Sequence, residues 1–182
     1  MAKNIGILRR MRHYLPSNIL INLYYTFIFP YLSYCNISWG VNYTRTINCL
    51  VVLQKLAVRT VFHVQWGVST KPTFKVNNLL TILDINRLQI GLFMYRYHHK
   101  LLPPSFNNYF KLGSSVHHHF TRTALNYRTD FARINPKRFS IKCQRPLVWN
   151  SLPSELTSLP TISRFKQALK MYLINLNDVC CL

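Results

Sequence analysis

The 182-residue sequence predicts a mainly α fold, in which a helical bundle-like region is followed by a small C-terminal β-hairpin. Apolar residues make up 49% of the chain, which is enough to bury a core and excludes a solvated, disordered chain. They recur mostly at spacings of three and four residues, the period of an amphipathic helix. Only residues 127–134 and 138–143, on either side of Asn135-Pro136, resemble two strands joined by a turn.

The first four predicted helices lie in the N-terminal third of the chain. Apolar residues at helical spacing predict a first helix that stops at Pro16, and Ser17 is placed to cap the second. Residues 31–39 predict a third, short apolar helix that ends at Gly40. Thr44 is expected to cap a longer fourth helix. Its buried face would carry Ile47, Leu50, Val51, Gln54, Ala57, Val58 and Val61.

Four more helices are predicted further along the chain. Residues 72–80 form the first of them. Asp84 stands where the N-cap of the next helix belongs, so its expected task is to accept hydrogen bonds from backbone N–H groups and not to do chemistry. That helix ends in cations up to Lys100, which suit the negative end of a helix dipole. Pro146 is expected to open a short helix, and Thr161 to cap a last amphipathic one.

The sequence also predicts where the chain divides. Residues 1–110 are expected to form the helical region, and residues 111–125 a polar loop or linker. Residues 126–175 would form a small α+β module, and residues 176–182 a tail. Inside the linker, the tract His117-His118-His119 is better explained as an exposed loop than as a metal site, because no cysteine or acid lies near it.

The charge of the chain is strongly one-sided. Lysine and arginine number 23 against only four acidic residues, so the net charge is +19. This surplus predicts a polyanionic partner, either nucleic acid or an anionic membrane surface. Two-metal phosphoryl transfer is disfavoured because it needs several carboxylates around the ions. The sequence contains no glycine-rich phosphate loop, serine-hydrolase motif or paired zinc cysteines, so we predict no catalytic residue, metal ligand or cofactor.

Clusters of cations are the candidate nucleic-acid-binding residues. The densest cluster comprises Arg133, Lys137, Arg138, Lys142 and Arg145. A second cluster comprises Arg9, Arg10 and Arg12. Lys55 and Arg59 are one helical turn apart, and because like charges repel at this spacing they either point to solvent or share an anion. The alternative for each cluster is a solvated face, but so few acids are present to neutralise these cations that phosphate binding is favoured.

The predicted hairpin also interleaves aromatic residues with cations. The residues concerned are Tyr127, Arg128, Phe131, Arg133, Arg138, Phe139 and Lys142. Such a combination stacks on bases while it follows a phosphate backbone. In a strand, Phe139 and Ile141 would share one face, and Arg138 and Lys142 the other. A strand with one face in the core and one in water explains the pattern equally well.

A membrane-associated protein is the main competing hypothesis. Residues 14–44 carry no charge and follow a basic segment, as a signal anchor would. Pro30 divides this stretch into two pieces that are too short to span a bilayer about 30 Å thick. A buried helical hairpin is therefore favoured. The five cysteines include no C-x-x-C pair and fit the reduced thiols of an intracellular protein, nuclear or cytoplasmic.

Seven segments, taken in order, resemble a known family. Three lie in the N-terminal third: Leu8-Arg-Arg-Met-Arg-His-Tyr-Leu-Pro16, Tyr31-Leu-Ser-Tyr-Cys-Asn-Ile-Ser-Trp-Gly40 and Leu53-Gln-Lys-Leu-Ala-Val-Arg59. The others are Leu88-Gln-Ile-Gly-Leu-Phe-Met-Tyr-Arg-Tyr-His98, Leu101-Leu-Pro-Pro-Ser-Phe106, Pro146-Leu-Val-Trp-Asn-Ser-Leu-Pro153 and Phe165-Lys-Gln-Ala-Leu-Lys170. This series resembles the C-terminal part, the thumb and the region downstream of it, of reverse transcriptases from non-LTR retrotransposons of the LINE-like, jockey or CR1 type.

The resemblance implies a parent enzyme that copies RNA into DNA at a nicked target site. Its fingers and palm, with the metal-binding Tyr-x-Asp-Asp sequence, would lie upstream of Met1, and the chain contains no Asp-Asp pair. No catalytic residue can therefore be carried over, and residues 1–110 would correspond to a thumb-like region that grips the template–primer duplex.

Sequence and resemblance together predict a non-catalytic fragment of an RNA-directed DNA polymerase that binds the template–primer backbone. Its expected partners are RNA and/or DNA, bound with little sequence preference, and the missing polymerase core, whereas a membrane partner is disfavoured. The alternative is a membrane-associated or protein-interaction fragment with no nucleic-acid role.

Overall fold

A computed structural model describes residues 1–115 and 125–179, and this part of the chain is mainly α, as predicted. The helices of the N-terminal half are α1 (Ala2–Met11), α2 (Ser17–Phe27), α3 (Phe29–Ser33), α4 (Asn36–Trp39), α5 (Thr44–Val61) and α6 (Lys71–Val76). The remaining ones are α7 (Ile82–His98), α8 (Asn135–Arg138), α9 (Ile141–Asn150), α10 (Ser154–Thr157) and α11 (Ile162–Val179). Short 3-10 turns occur at Pro104–Phe106 and Gly113–Ser115.

The chain divides into two compact units. Unit 1 consists of residues 1–86 and 173–182, and unit 2 of residues 87–172. The predicted linker 111–125 falls within unit 2. Most of it, including the predicted histidine loop, lies outside the described residues, so both stay predictions.

In unit 1, α1, α2 and α5 pack against one another. Leu8, Leu20 and Val58 have no exposed surface and lie in the core that these helices share. The long fourth helix is confirmed as Thr44–Val61, although its N-cap is Tyr43 and not the predicted Thr44. The apolar residues of this helix recur every three or four positions. They therefore lie along one side of the helix, and this side is buried.

A buried glutamine joins α5 to the start of α7. Gln54 Nε2 donates to Tyr24 Oη (3.1 Å) and to the Leu80 carbonyl (2.9 Å), and Gln54 Oε1 accepts from the Ile82 N–H (2.8 Å). Burial raises the pKa of Tyr24 to about 12, against a smaller lowering by the Gln54 hydrogen bond. A polar residue on the predicted apolar face is thus fully paired inside unit 1.

The third predicted helix, residues 31–39, is divided into α3 and α4. Cys35 between them has a left-handed backbone (φ 49°), which interrupts the helix. Buried Asn36 donates from Nδ2 to the Leu32 carbonyl (2.6 Å), and its Oδ1 accepts from Asn86 Nδ2 (2.8 Å). A β-carbon on Gly40 would overlap Asn36 and Asn86. The break therefore serves to place an asparagine pair in the interior.

The N-cap of α7 lies three residues earlier than the predicted cap, Asp84. The Thr81 hydroxyl accepts from the Asp84 N–H (3.3 Å) and itself donates to the Asp84 carboxylate. Thr81 therefore occupies the capping position, and Asp84 lies three residues later in the first turn. The prediction that Asp84 is the N-cap is therefore wrong: the Thr81 hydroxyl takes that role, and the Asp84 carboxylate accepts a hydrogen bond from this hydroxyl.

Aromatic side chains build the core of unit 2. Tyr95 stacks on Phe165 (ring centroids 4.6 Å apart), and the Tyr95 hydroxyl donates to the Leu159 carbonyl (2.7 Å). His98 and the buried Tyr127 are joined through Nδ1 and Oη at 3.0 Å. Desolvation lowers the pKa of His98, with a further lowering from neighbouring His99, and burial raises the pKa of Tyr127 to about 12.

The predicted C-terminal β-hairpin is not confirmed. Helices α8 and α9 occupy residues 135–138 and 141–150, so most of the segment predicted as the second strand, residues 138–143, is helical. Pro136 lies in the first turn of α8, where its missing N–H costs nothing, and Cys143, Pro146 and Trp149 recur every third residue on the buried side of α9. The only β pairing in the described residues is an isolated antiparallel bridge between Leu112 and Tyr127.

Among the described residues, none of the helices combines the length and the apolar character that crossing a bilayer requires. The uncharged 14–44 stretch is instead divided among the short helices α2, α3 and α4. Four of its tyrosines project into solvent to more than half of their surface: Tyr14, Tyr31, Tyr34 and Tyr43.

Candidate nucleic-acid interface

A basic groove in unit 1 is the strongest candidate site. It encloses about 540 Å³ between the C-terminal end of α1 and the C-terminal end of α5 with the adjoining turn. Its lining consists of Arg9, Arg12, His13, Leu56, Arg59, Thr60, His63, Val64, Gln65 and Trp66. These residues come from two separate stretches of sequence, which meet because α1 packs along α5.

The α1 side of the groove supplies two arginines one turn apart. Arg9 is exposed and Arg12 is half-buried. The Arg12 Nε atom is buried and has no hydrogen-bond partner within the described chain. Cations in a last helical turn are stabilised by the helix dipole, which accounts for their presence there.

The α5 side supplies one arginine that is already engaged. Arg59 donates from one terminal nitrogen to the Gln65 carbonyl (3.0 Å) and from the other to the Val68 carbonyl (2.7 Å). These bonds close the turn after α5, in which Gly67 takes a positive φ of 86°. The Arg59 guanidinium also lies 5.8 Å from the ring centroid of Trp66. Arg59 therefore holds the turn in place and positions the indole.

Trp66 has the chemistry of a stacking platform. The side chain is 81% exposed, although an indole is more stable when it is buried than when it is in water. The groove beside it contains no acidic lining residue, so its electrostatic character is wholly basic. An exposed aromatic ring next to unneutralised cations is the pairing that binds single-stranded nucleic acid.

The structure brings together some of the predicted binding residues and separates others. Arg9, Arg12 and Arg59 line one groove, whereas Arg10 and Lys55 are exposed but do not line it. Trp66 was not among the predicted residues, because a lone tryptophan after a helix carries no periodic signal. The neighbouring Gly67, which marks a turn beyond the end of α5, was the one available indication.

The densest predicted cluster needs a correction at one residue. Arg133, Lys137 and Arg138 are exposed on the segment that leads into α9, and Lys142 is exposed in the first turn of α9. Arg145, by contrast, has no exposed surface, so a phosphate at the protein surface cannot reach its guanidinium in this conformation. Cluster membership was inferred from spacing alone, and α9 turns this residue inward together with Cys143 and Pro146.

The aromatic residues interleaved with these cations differ in their exposure to solvent. Phe131 is 85% exposed, whereas Tyr127 is buried and accepts a hydrogen bond at its carbonyl from Asn150 Nδ2 (2.8 Å). Because residues 138–142 are not a strand, the predicted alternation of Phe139 and Ile141 against Arg138 and Lys142 does not apply.

Within residues 1–115 and 125–179, no group of three histidine, cysteine or acidic residues is arranged to hold a metal ion. Cys35, Cys49 and Cys143 are free thiols, and Cys143 is buried. Comparison of the chain with protein-family models, with curated proteins and with solved structures finds no match. The function of the groove therefore has to be inferred from its own residues.

Proposed function

We propose that this protein binds single-stranded or locally unpaired nucleic acid through the groove between α1 and α5, with little sequence preference. The observation that carries the proposal is the combination of Arg9, Arg12 and an 81% exposed Trp66 in one groove whose lining contains no acid. The net charge of +19 would draw a polyanion to the surface before the groove engages it.

Each part of the groove has a separate task in this proposal. Arg9 and Arg12 contact successive backbone phosphates. Trp66 stacks on a base, an interaction worth about 1–3 kcal/mol that every base can make. Arg59 positions Trp66 and contributes its charge. Because phosphates and base faces are common to all sequences, binding is sequence-tolerant.

The resemblance to non-LTR reverse transcriptases supplies a biological context for this activity. We propose that the chain is a non-catalytic fragment of such an RNA-directed DNA polymerase, in which the thumb-like region grips the template–primer backbone. The mainly helical fold is compatible with this origin. The polymerase core of the parent enzyme is the corresponding protein partner, and the chain by itself would not incorporate nucleotides because it lacks an Asp-Asp pair.

A second candidate function is a protein-interaction or membrane-surface role for residues 14–44. Four tyrosines of this uncharged stretch are more than half exposed, and Tyr14 reaches 86%. Exposed aromatic residues are enriched where proteins meet partners or bilayer interfaces.

Anisotropy titrations of a labelled single-stranded oligonucleotide test the groove. The logarithm of affinity is expected to fall linearly with the logarithm of salt concentration. Arg9→Gln and Arg12→Gln should each reduce the slope by roughly 0.7, the share of one neutralised phosphate on a single strand. Arg10→Gln is the matched control: it removes the same charge from the same helix, outside the groove. Trp66→Ala should weaken binding with the slope unchanged.

Two results would overturn the proposal. The first is an equal loss of affinity in Arg10→Gln and Arg12→Gln, because binding would then depend on the overall charge and not on the groove. The other is binding that does not respond to Trp66→Ala. Flotation with anionic liposomes in the absence of oligonucleotide binding would favour the second candidate function.

A further inference from the structure

A pocket in unit 2 lies at the C-terminal end of α7. It encloses about 1040 Å³, at the upper limit of the range for small-ligand sites. Its lining comes from the end of α7, from residues between 100 and 112 and from Tyr127, all of which belong to unit 2. The pocket shares no described lining residue with the groove of unit 1.

Hydrogen bonds join the three segments that form the pocket. Tyr97 Oη accepts from the Phe110 N–H (3.0 Å) and donates to the Phe110 carbonyl (2.9 Å). His98 Nδ1 and Tyr127 Oη share a hydrogen bond of 3.0 Å. The end of α7 is thereby fixed to both of the other segments, so the pocket is formed before a ligand arrives.

Aromatic residues supply much of the apolar lining. Tyr97, Phe106, Phe110 and Tyr127 all belong to it. Edge-to-face contacts hold these side chains relative to one another, such as the one between Tyr97 and Phe110, whose ring centroids are 4.9 Å apart. Because aromatic rings pack favourably on other rings, such a lining suits a ligand that contains an aromatic ring.

The polar residues of the lining suit a phosphate group and a hydrogen-bonding ring. Lys100 and Lys111 are exposed, and none of the described lining residues is acidic. Two lysines match the charge of a phosphate monoester, which is about −1.5 to −2 at neutral pH. The exposed amides of Asn107 and Asn108 each offer hydrogen-bond donors and an acceptor, the groups that pair with an adenine edge.

Lys100 occupies a backbone position at which glycine is usual. Its φ is 55°, in the left-handed region. Helix α7 ends there in a Schellman motif, in which the Lys100 N–H donates to the Tyr97 carbonyl (3.1 Å). The Leu101 N–H completes the motif by donating to the Arg96 carbonyl (2.8 Å). A side chain in this conformation lowers stability relative to glycine, and strained residues of this kind are concentrated at ligand-binding sites.

We propose that this pocket binds a small aromatic phosphate monoester, with its ring against the aromatic lining and its phosphate on Lys100 and Lys111. Nucleoside monophosphates and phosphorylated phenols share this chemistry. The amides of Asn107 and Asn108 favour the nucleotide, because a purine offers them hydrogen-bonding atoms that a plain phenyl ring lacks. The site goes beyond the function proposed for the groove and does not depend on it.

Thermal unfolding of the full chain at constant ionic strength tests the site with adenosine monophosphate and with phenyl phosphate. A ligand at ten times its dissociation constant should raise the melting temperature of a protein of this size by roughly 3–6 °C. Inorganic phosphate at the same concentration should produce a smaller shift, because it cannot contact the aromatic lining. No shift with either ester, or an equal shift with inorganic phosphate, would overturn the proposal.

Substitutions of Lys100 separate binding from stability. Without ligand, Lys100→Gly should melt roughly 2–4 °C above the parent, because glycine relieves the left-handed backbone. The same variant should bind adenosine monophosphate about tenfold more weakly, because one contact to the phosphate is lost. Lys100→Gln should lose the affinity without the gain in melting temperature.

Lys166→Gln, at an exposed position of α11, is the matched control for the loss of one positive charge and should keep the affinity of the parent. Equal affinities in Lys100→Gln and Lys166→Gln would contradict a role for Lys100. Binding of adenosine monophosphate that Trp66→Ala abolishes and Lys100→Gly leaves intact would assign the nucleotide to the groove of unit 1. Either result would overturn the proposal.

The two sources of the ester are distinguished by their relative affinities. Tighter binding of adenosine monophosphate than of phenyl phosphate, with a preference that Asn107→Ala removes, assigns the pocket to nucleotides. Equal binding of the two esters, weakened alike by Lys100→Gly, assigns it to aromatic phosphates in general.

Discussion

Replacing Gln54 with leucine tests how unit 1 joins α5 to α7. The substitution keeps the approximate size of the side chain but removes its amide. The Ile82 N–H, at 2.8 Å from Gln54 Oε1, and the Leu80 carbonyl, at 2.9 Å from Nε2, would both lose their partner. Tyr24 would lose its hydrogen bond from the same nitrogen.

The expected cost follows from counting the groups that lose a partner. A buried polar group without a hydrogen bond costs about 1–3 kcal/mol, and two backbone groups are affected, against a modest gain from the added apolar surface. We expect Gln54→Leu to lower the free energy of unfolding by roughly 3 kcal/mol, a large share of the 5–15 kcal/mol typical of a domain.

Urea denaturation followed by far-ultraviolet circular dichroism measures this loss as a lower midpoint at unchanged slope. Hydrogen exchange at the Ile82 amide should accelerate in the variant, which ties the loss to this hydrogen bond. Gln167→Leu, at an exposed position of α11, is the matched control and should change stability by less than about 0.5 kcal/mol. A loss below about 1 kcal/mol in Gln54→Leu, or an unchanged Ile82 exchange rate, would refute the reasoning.

Two further predictions concern glycines and a buried phenol. Gly40→Ala should destabilise the protein by about 2–3 kcal/mol, because a β-carbon there overlaps Asn36 and Asn86, whereas Gly6→Ala, with nothing near it inside α1, should stabilise it by up to about 1 kcal/mol. Opposite signs in urea denaturation are the expected result, and equal signs would contradict the packing. Stability should fall as the pH rises from 10 to 12, since burial raises the pKa of Tyr24 to about 12 while the unfolded phenol ionises near 10.0. Tyr24→Phe should flatten this part of the stability profile, and a profile unaffected by the substitution would place the pH dependence elsewhere.

Much of the helical architecture could be predicted because its signal is local. The existence of α5 follows from apolar residues at helical spacing, and its start was located to within one residue from the sequence. The same reasoning failed at residues 31–39, where a left-handed Cys35 interrupts the helix to bury Asn36. It failed again at residues 138–143, where a short alternating stretch is too brief to distinguish strand from helix, and packing of Trp149 and Cys143 decided for helix.

The sequence by itself determined the helical class, the strongly basic charge and the scarcity of acidic residues, because composition and periodicity are properties of the chain before it folds. Only the tertiary structure decided which cations share a surface. Arg9 and Arg59 are fifty residues apart, and the packing of α1 on α5 brings them to one groove beside Trp66. Arg145 follows Lys142 by a single turn, yet one is buried and the other exposed. Burial depends on what each helix packs against, and spacing along the chain does not contain that information.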